Sequence, residues 1–375
     1  MKLFRVALIA AAAVILASCC QNSKVIKTKV LPRPAGQESM LQFAADPIPD
    51  VGIGVVGLGD RGSGAVHRLT FVPGCHVAAI CDIEPDRAEK NQKVLESRGQ
   101  SAKIYAGSDE IYKELCEDPD VDLVYICTDW IHHVPVALYA MEHGKHVAIE
   151  VPSAETLQAC WDLVNTSERT RRHCMILENC CYDFFELTAL TMAQSGLFGD
   201  IIHAEGAYHH NLDPFWDGYY KDWRIEFNRA HRGDLYPTHG FGPVCQVLNI
   251  HRGDRLASLV SMDTDSFNGP KVFQKQTGEV CDEFKNGDET MTMIRTVKGK
   301  TILIEHDVMT PRPYDRMYQL VGTDGYAAKY PVGQVCLRQD EDIEVGYEDL
   351  EFEKALPSLK TTTTNQAYNS DEVTD

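Results

Sequence analysis

The chain has 375 residues, enough for about two domains and a large buried core, and its 36 Lys and Arg against 55 Asp and Glu give a formal net charge of −19. That balance excludes a nucleic-acid partner, which needs a basic footprint. Acidity alone otherwise implies little beyond solubility.

The first residues read as a processing signal. Lys2 and Arg5 precede a short apolar run over 6–15, too short for a comfortable membrane span. Leu16-Ala17-Ser18-Cys19 then fits a bacterial lipoprotein cleavage site. Residues 1–19 are therefore expected to be a signal peptide, with Cys19 lipidated and the protein held on the cell envelope by a lipid anchor only. Residues 20–50 are polar and contain proline, as a tether does. Thirteen cysteines in an exported chain would suggest disulfides. However, Cys81 and Cys127 end apolar runs, and Cys116, Cys160 and Cys245 fall in helical patterns, so these are expected to be small core residues. Cys180-Cys181 lacks metal-site spacing, there is no CxxC, and no metal site is expected.

The apolar run 51–56 leads into Gly57-Leu58-Gly59-Asp60-Arg61-Gly62, then a segment of helical period, then a second apolar run ending at Asp82. Strand, glycine turn, helix, strand and terminal acid in this order form a dinucleotide-binding fingerprint. Gly57 permits the tight turn, Gly59 lets amides approach a pyrophosphate, and Gly62 lets the helix pack on the sheet. Asp60 and Arg61 open that helix. Asp82 suits a ribose 2′-hydroxyl and repels a 2′-phosphate, which favours NAD. The βα rhythm continues with a helix over 84–98, a strand over 102–105, a helix over 109–116, a buried strand over 121–127, a helix over 134–143 and a strand over 146–149. This predicts a doubly wound parallel (Rossmann) sheet over 51–175. Period-2 segments follow at 201–209, 258–263, 289–297, 301–308 and 316–321, with a helix over 241–250. They predict a second α+β domain over 176–345 with an open, largely antiparallel sheet. Residues 211–237 read as a long functional loop, and 346–375 as a polar, truncated tail.

Four segments at strand ends or helix entries carry the candidate chemistry. Trp130, Ile131, His132 and His133 follow the buried strand and can meet a nicotinamide. Glu150 and Val151 follow the next strand, where a carboxylate can reach a hydroxyl. Asn179 can hold a ribose or carboxamide, and Tyr182 faces substrate or packs. Tyr236-Pro237-Thr238-His239 enters a helix, and its tyrosine and histidine make a candidate acid/base pair.

Together GLGDRG, EVP, ENCCY, GLFGDIIHAEG, DWR and LYPTHGFGP resemble the Gfo/Idh/MocA oxidoreductase superfamily and, within it, glycoside hydrolase family 109, the NAD-dependent α-N-acetylgalactosaminidases. The resemblance covers about 51–331. Ordinary dehydrogenases of the superfamily carry EKP, and here Val151 replaces that lysine. They also carry an aspartate four residues before the active-site histidine, where this chain has Leu235, and His132 stands where the family usually has a second tryptophan. The resemblance implies transient oxidation of a bound sugar at carbon 3, elimination of the aglycone, water addition and re-reduction, with NAD retained. It assigns His239 and Tyr314 as catalytic groups, with Tyr318 an open alternative to Tyr314. Tyr182, Tyr208, Arg224, Tyr236, Pro237, Thr238, His239 and Tyr314 would contact a glycan substrate. A catalytic tyrosine needs a strong downward pKa shift, for which a neighbouring arginine is expected. Two other readings stay open: a sugar or cyclitol dehydrogenase, and an inactive lipoprotein that binds sugar or NAD. A homo-oligomer is compatible with all three.

Overall fold

The computed structural model describes residues 26–27, 30–217, 223–338 and 350–351. The signal segment, Cys19 and most of the tail lie outside the described residues. The chain divides into Met1–Glu38, irregular where described apart from a turn at Gly36, and a large unit, Ser39–Asp375.

The large unit begins with strands and helices in alternation: β1 (Val51–Val56), α1 (Asp60–Leu69), β2 (Cys75–Asp82), α2 (Pro85–Ser97), β3 (Lys103–Ala106), α3 (Tyr112–Glu117), β4 (Leu123–Ile126), α4 (Trp130–Glu142), β5 (His146–Ile149), α5 (Leu157–Thr170) and β6 (Cys174–Ile176). The six strands form one parallel sheet in the order β3-β2-β1-β4-β5-β6. Two apolar clusters, one around Val124, Ile126 and Val136 and one around Val55, Val66 and Ile80, account for the near-continuous apolar runs. The helix expected over 134–143 starts earlier, at Trp130, and Asp129 sits extended before it. α5 was not legible as an element. Its start is fixed by the Thr156 hydroxyl, which accepts from the Ala159 amide at 3.1 Å.

A short 3₁₀ turn (Asn179–Tyr182) and α6 (Phe184–Gln194) lead to the second sheet. Its strands are β7 (Ile201–His209), β8 (Leu256–Asp263), β9 (Thr290–Thr296), β10 (Thr301–Asp307), β11 (Gln319–Gly322), β12 (Gly325–Ala328), β13 (Gln334–Leu337) and β14 (Leu350–Glu351), in the order β14-β13-β12-β11-β7-β10-β9-β8. All neighbours are antiparallel except β7 and β10, which are parallel. Interleaved helices are α7 (Trp223–Ala230), α8 (Thr238–Val247) and α9 (Gly269–Thr277). α6 and α8 cover one face of this sheet, burying Phe185, Met192, Val244 and Val247 against Ala204, Ile302, Ile304 and Leu320.

Three expectations are corrected. Residues 211–237 are not all loop, because α7 lies within them. The strand expected from 316 begins only at Gln319, since Met317 and Tyr318 have φ of +56° and +49°, outside the extended region. Cys160 is exposed rather than a core residue, while Cys81 and Cys116 are buried as expected. Every cysteine among the described residues is free, and no described helix is long and apolar enough to cross a membrane.

Candidate functional site

In the parallel sheet β1 lies between β2 and β4, the point where the winding reverses and a crevice opens at the carboxyl ends of the strands. Gly57 leaves β1 there with φ +90°, and a Cβ on it would sit 2.6 Å from the Cys127 carbonyl. A Cβ on Gly62 would sit 1.8 Å from the Gly57 oxygen, so α1 rests directly on the turn. At Gly59 a Cβ would meet nothing within 4 Å. The loop is thus closed towards the protein and open at Gly59, which is the shape a pyrophosphate needs. Asp82 is buried at the end of β2, and its carboxylate accepts from the Leu58 amide at 2.6 Å and the Glu84 amide at 2.9 Å. The remaining lone pairs of the carboxylate suit a ribose hydroxyl.

Arg61 joins the glycine loop to the neighbouring strand ends. Its Nε lies 3.3 Å from Glu150 Oε1, and its Nη2 donates to Asn179 Oδ1 at 3.5 Å. Glu150 is buried and also accepts from the Tyr125 hydroxyl at 3.2 Å. Asp60 is exposed at the head of α1. The segment expected as a nicotinamide loop is the first turn of α4, and its residues diverge. Ile131 and His132 are exposed, with the His132 imidazole on the Asp129 carboxylate. His133 is buried with Nδ1 2.8 Å from the Pro152 carbonyl and Nε2 3.1 Å from that of Thr128. The Nδ1 side of the ring thus faces the loop after β5, and the Nε2 side faces the loop after β4. Trp130 is buried, stacked on Tyr236 at 5.4 Å and edge-on to Trp223 and Phe227. The Arg224 guanidinium lies 4.9 Å over Trp130 and 4.8 Å over Tyr236. Arg61, Glu150, Val151, Trp130, Arg224 and Tyr236 all line one polar cavity of about 50 Å³. A larger apolar cavity of about 340 Å³ beside α5 and β6 gathers none of these residues.

On the second sheet, β7 carries Tyr208 and α8 carries His239 in its first turn. The two elements touch through backbone: a Cβ on Gly206 would lie 2.2 Å from the Gly240 oxygen, and one on Gly240 would lie 2.3 Å from the Ala207 nitrogen. A Cβ on Gly242 would sit 2.8 Å from Glu178 Cγ. The spacing of the glycines in His239-Gly240-Phe241-Gly242 thus admits β7 on one side and Glu178 on the other. Pro237 and Thr238 form the entry to this helix. His239 is buried, stacked on Tyr208 at 5.4 Å and edge-on to Tyr236 at 5.0 Å.

Glu178 is a functional residue that sequence reasoning missed. Its Oε1 lies 2.5 Å from His239 Nδ1 and accepts the Cys180 amide at 3.0 Å. Burial lowers the His239 pKa below the usual histidine range. Burial disfavours the Glu178 carboxylate too, but His239, the Cys180 amide and the Thr238 hydroxyl together outweigh it and hold the carboxyl below its ordinary range. A carboxylate beside a neutral imidazole fixes the proton on Nδ1 and leaves Nε2 as the acceptor. The only sequence signal was an acid just ahead of Asn179. His210 and His306 were also missed. The Tyr208 hydroxyl meets His210 Nδ1 at 3.2 Å, and Tyr208 stacks on His306. Burial pushes these imidazoles down to about 4 and about 3 respectively.

Tyr314 and Tyr318 part company. Tyr314 is half-exposed beside His210, with the Arg316 guanidinium 4.1 Å over its ring and 4.3 Å over Tyr208. Tyr318 is fully buried against Phe185 in the apolar cluster under α6 and α8, away from this group. The arginine expected beside the phenol is present, but burial outweighs it and raises the Tyr314 pKa. A phenol in this environment stays protonated at neutral pH. Tyr182 is half-exposed and does not join the stack around His239.

Asp234 Oδ1 accepts the Tyr236 amide at 3.0 Å, and burial pushes its carboxyl up to about 7. An unfolded Asp titrates near 3.9, so the native state binds this proton more tightly, and the contribution to stability falls as pH rises from about 4 to 7. Asp234→Asn should remove that slope and stabilise the protein at pH 8 by on the order of 1–3 kcal/mol. Urea titrations of both proteins at pH 5 and pH 8 measure the difference.

Comparison with known proteins matches two family models to the chain. Residues 51–177 match the NAD-binding Rossmann-fold model of the Gfo/Idh/MocA oxidoreductase family, and 182–346 match the C-terminal domain of glycosyl hydrolase 109. Glycosyl hydrolase family 109 protein 1 of Bacteroides thetaiotaomicron is 57% identical over 314 residues, spanning 84% of this chain and 67% of the relative. The family 109 protein of Porphyromonas gingivalis is 53% identical over 348 residues, 92% of this chain and 74% of its own length. Among solved structures, levoglucosan dehydrogenase in complex with NADH superposes with a TM-score of 0.63 at 20% identity, covering 80% of each chain. An NAD-binding oxidoreductase from Klebsiella pneumoniae gives 0.65 at 20% identity over 81% of this chain and 80% of its own. NAD is the cofactor of this fold and of this site. With 51–57% identity to its curated relatives along most of its length, this chain belongs to glycosyl hydrolase family 109, an NAD-dependent glycosidase family.

Proposed function

We propose that the protein is an α-N-acetylgalactosaminidase that acts on terminal sugars of a glycan at the bacterial envelope, held there by a lipid on Cys19. The observation that carries the reading is the buried Glu178–His239 pair, 2.5 Å apart, in a ring of tyrosines, with Val151 where a dehydrogenase has lysine. Gly57 to Gly62, Asp82, Arg61, Glu150 and Asn179 would hold NAD. When bound there, NAD would supply the hydride acceptor and donor for sugar carbon 3.

In this mechanism the protein's own groups handle protons and position. His239 Nε2 takes the proton of the 3-hydroxyl, and Glu178 steadies the imidazolium that results. A carbonyl at carbon 3 acidifies the carbon-2 proton, which passes to water as the bond from carbon 1 to the glycosidic oxygen breaks and the aglycone leaves. Tyr314, kept as a neutral phenol, is suited to donate towards the departing oxygen. Water adds at carbon 1, carbon 2 regains a proton, and His239 returns its proton to the 3-oxygen. Arg224, Tyr208, Tyr236, Pro237 and Thr238 form the wall that orients the sugar. This route differs from the two-carboxylate pathway of most glycosidases.

The test is hydrolysis of para-nitrophenyl α-N-acetylgalactosaminide in deuterated water with no added NAD. Nitrophenol release with deuterium at carbon 2 of the product is expected. Turnover without deuterium there would overturn the elimination route. Net NADH formation from the free sugar would instead identify a dehydrogenase, and NAD binding with no turnover on any glycoside would identify a binding protein.

A further inference from the structure

Outside the ring around His239, a cluster of charged side chains that no step above uses lies at the ends of β7, β9 and β10. Glu289 stands just before β9, Glu305 on β10, and His209 at the end of β7. Arg312 reaches this cluster from the loop that follows β10. Its Nη1 donates to Glu289 Oε2 at 2.8 Å, and its Nη2 donates to Glu305 Oε2 at 3.4 Å. His209 has no exposed side-chain surface, and its Nε2 lies 3.2 Å from Glu305 Oε2 and 3.9 Å from Glu289 Oε1. Two carboxylates and a guanidinium thus form one ionic clasp, with the buried imidazole beside it.

The clasp sits on the segment that presents Tyr314. Asp307 accepts from the Met309 and Thr310 amides and from the Thr310 hydroxyl, which turns the chain out of β10. The Arg312 amide donates to the Thr310 hydroxyl at 3.3 Å. Beyond Tyr314 the chain is caught again: His209 and Asp315 exchange backbone hydrogen bonds of 3.0 and 3.1 Å, and Arg316 Nη1 donates to the His209 carbonyl at 3.3 Å. Between these two anchors lies Pro311-Arg312-Pro313-Tyr314. The prolines narrow its backbone freedom but supply no amide donors. Arg312 is the side chain within this span that ties it to the sheet.

We infer that Arg312 is a positioning residue for Tyr314: bridged to Glu289 and Glu305, it holds the Pro311–Tyr314 loop so that the phenol stands beside His210 and Tyr208. The proposal rests on the reading of Tyr314 as a substrate-facing group. Burial pushes the Glu289 carboxyl up to about 7, against the opposing pull of Arg312 and His209 and with Asp307 and Glu305 pushing the same way. The clasp therefore works close to the pH at which one of its carboxylates gains a proton.

A double-mutant cycle on the full-length NAD-loaded protein tests this, with the aryl glycoside as substrate. Arg312→Met should lower kcat about 10-fold, leave the NAD content unchanged and speed amide hydrogen exchange over 308–316. Arg312→Lys should recover most of the rate. Arg312→Met combined with Tyr314→Phe should be no slower than Tyr314→Phe alone, because both changes remove the same placement. Additive losses in the double variant would overturn the proposal, as would wild-type exchange and wild-type kcat in Arg312→Met. If Tyr314→Phe alone turns over like the wild type, the role given to Tyr314 fails, while faster exchange over 308–316 in Arg312→Met would still identify the clasp.

Discussion

His239→Ala should leave a folded protein that retains its NAD and hydrolyses the aryl N-acetylgalactosaminide about 10²–10⁴-fold more slowly, the range for removal of a general acid/base. The His239 imidazole is buried with its Nδ1 held by a carboxylate, so its Nε2 is both oriented and unprotonated. Glu178→Gln should be milder, roughly 10- to 100-fold, because the ring keeps its stacking on Tyr208 but loses the partner that fixes its tautomer. The carboxylate also favours the imidazolium, so its removal should shift the acid limb of the kcat profile to lower pH. Rates from pH 4 to 9 for the three proteins, with NAD released by denaturation and quantified, check both points. Unchanged turnover in His239→Ala would remove the histidine from the chemistry.

The second large effect is expected at the glycine turn. Gly57→Ala places a methyl 2.6 Å from the Cys127 carbonyl on a backbone with φ +90°. Strain and overlap together should cost about 3 kcal/mol, a fall in Tm of about 5–10 °C. The turn cannot relax away from Cys127, because α1 leans on its other side through Gly62. Co-purified NAD should drop below about one tenth of the wild-type amount. Gly59→Ala is the control: its methyl meets no protein atom within 4 Å, so Tm should hold while NAD affinity falls. Equal loss of Tm in both variants would mean that Gly59 is not on the cofactor side.

What was legible in the sequence follows from how local each signal is. The strands of the parallel sheet are apolar runs buried on both faces, and the glycine turn is set by residues within six positions of one another. Both survive translation into sequence. The placement of Trp130 does not, since its indole is held by Trp223, Phe227 and Tyr236, residues more than 90 positions away. α7 reads as loop in sequence because its buried positions, Arg224, Ile225 and Asn228, include a charge and an amide, which blurs the apolar stripe of a helix. Glu178 was passed over because its partner is 61 residues on. Tyr314 and Tyr318 were inseparable in sequence, being four residues apart. The left-handed backbone at Met317 and Tyr318 sends the second ring into the core.

The contact between Gly206 and Gly240 has a mechanical consequence. With no side chain between them, α8 and β7 have no compressible layer and no rotamer to absorb relative motion. His239, Tyr208 and, through Gly242, Glu178 therefore travel as one plate. Any change in the spacing of these groups from the nucleotide-binding half would therefore move them as a unit. The imidazole itself is held by Glu178 on one side and by the rings of Tyr208 and Tyr236 on the others.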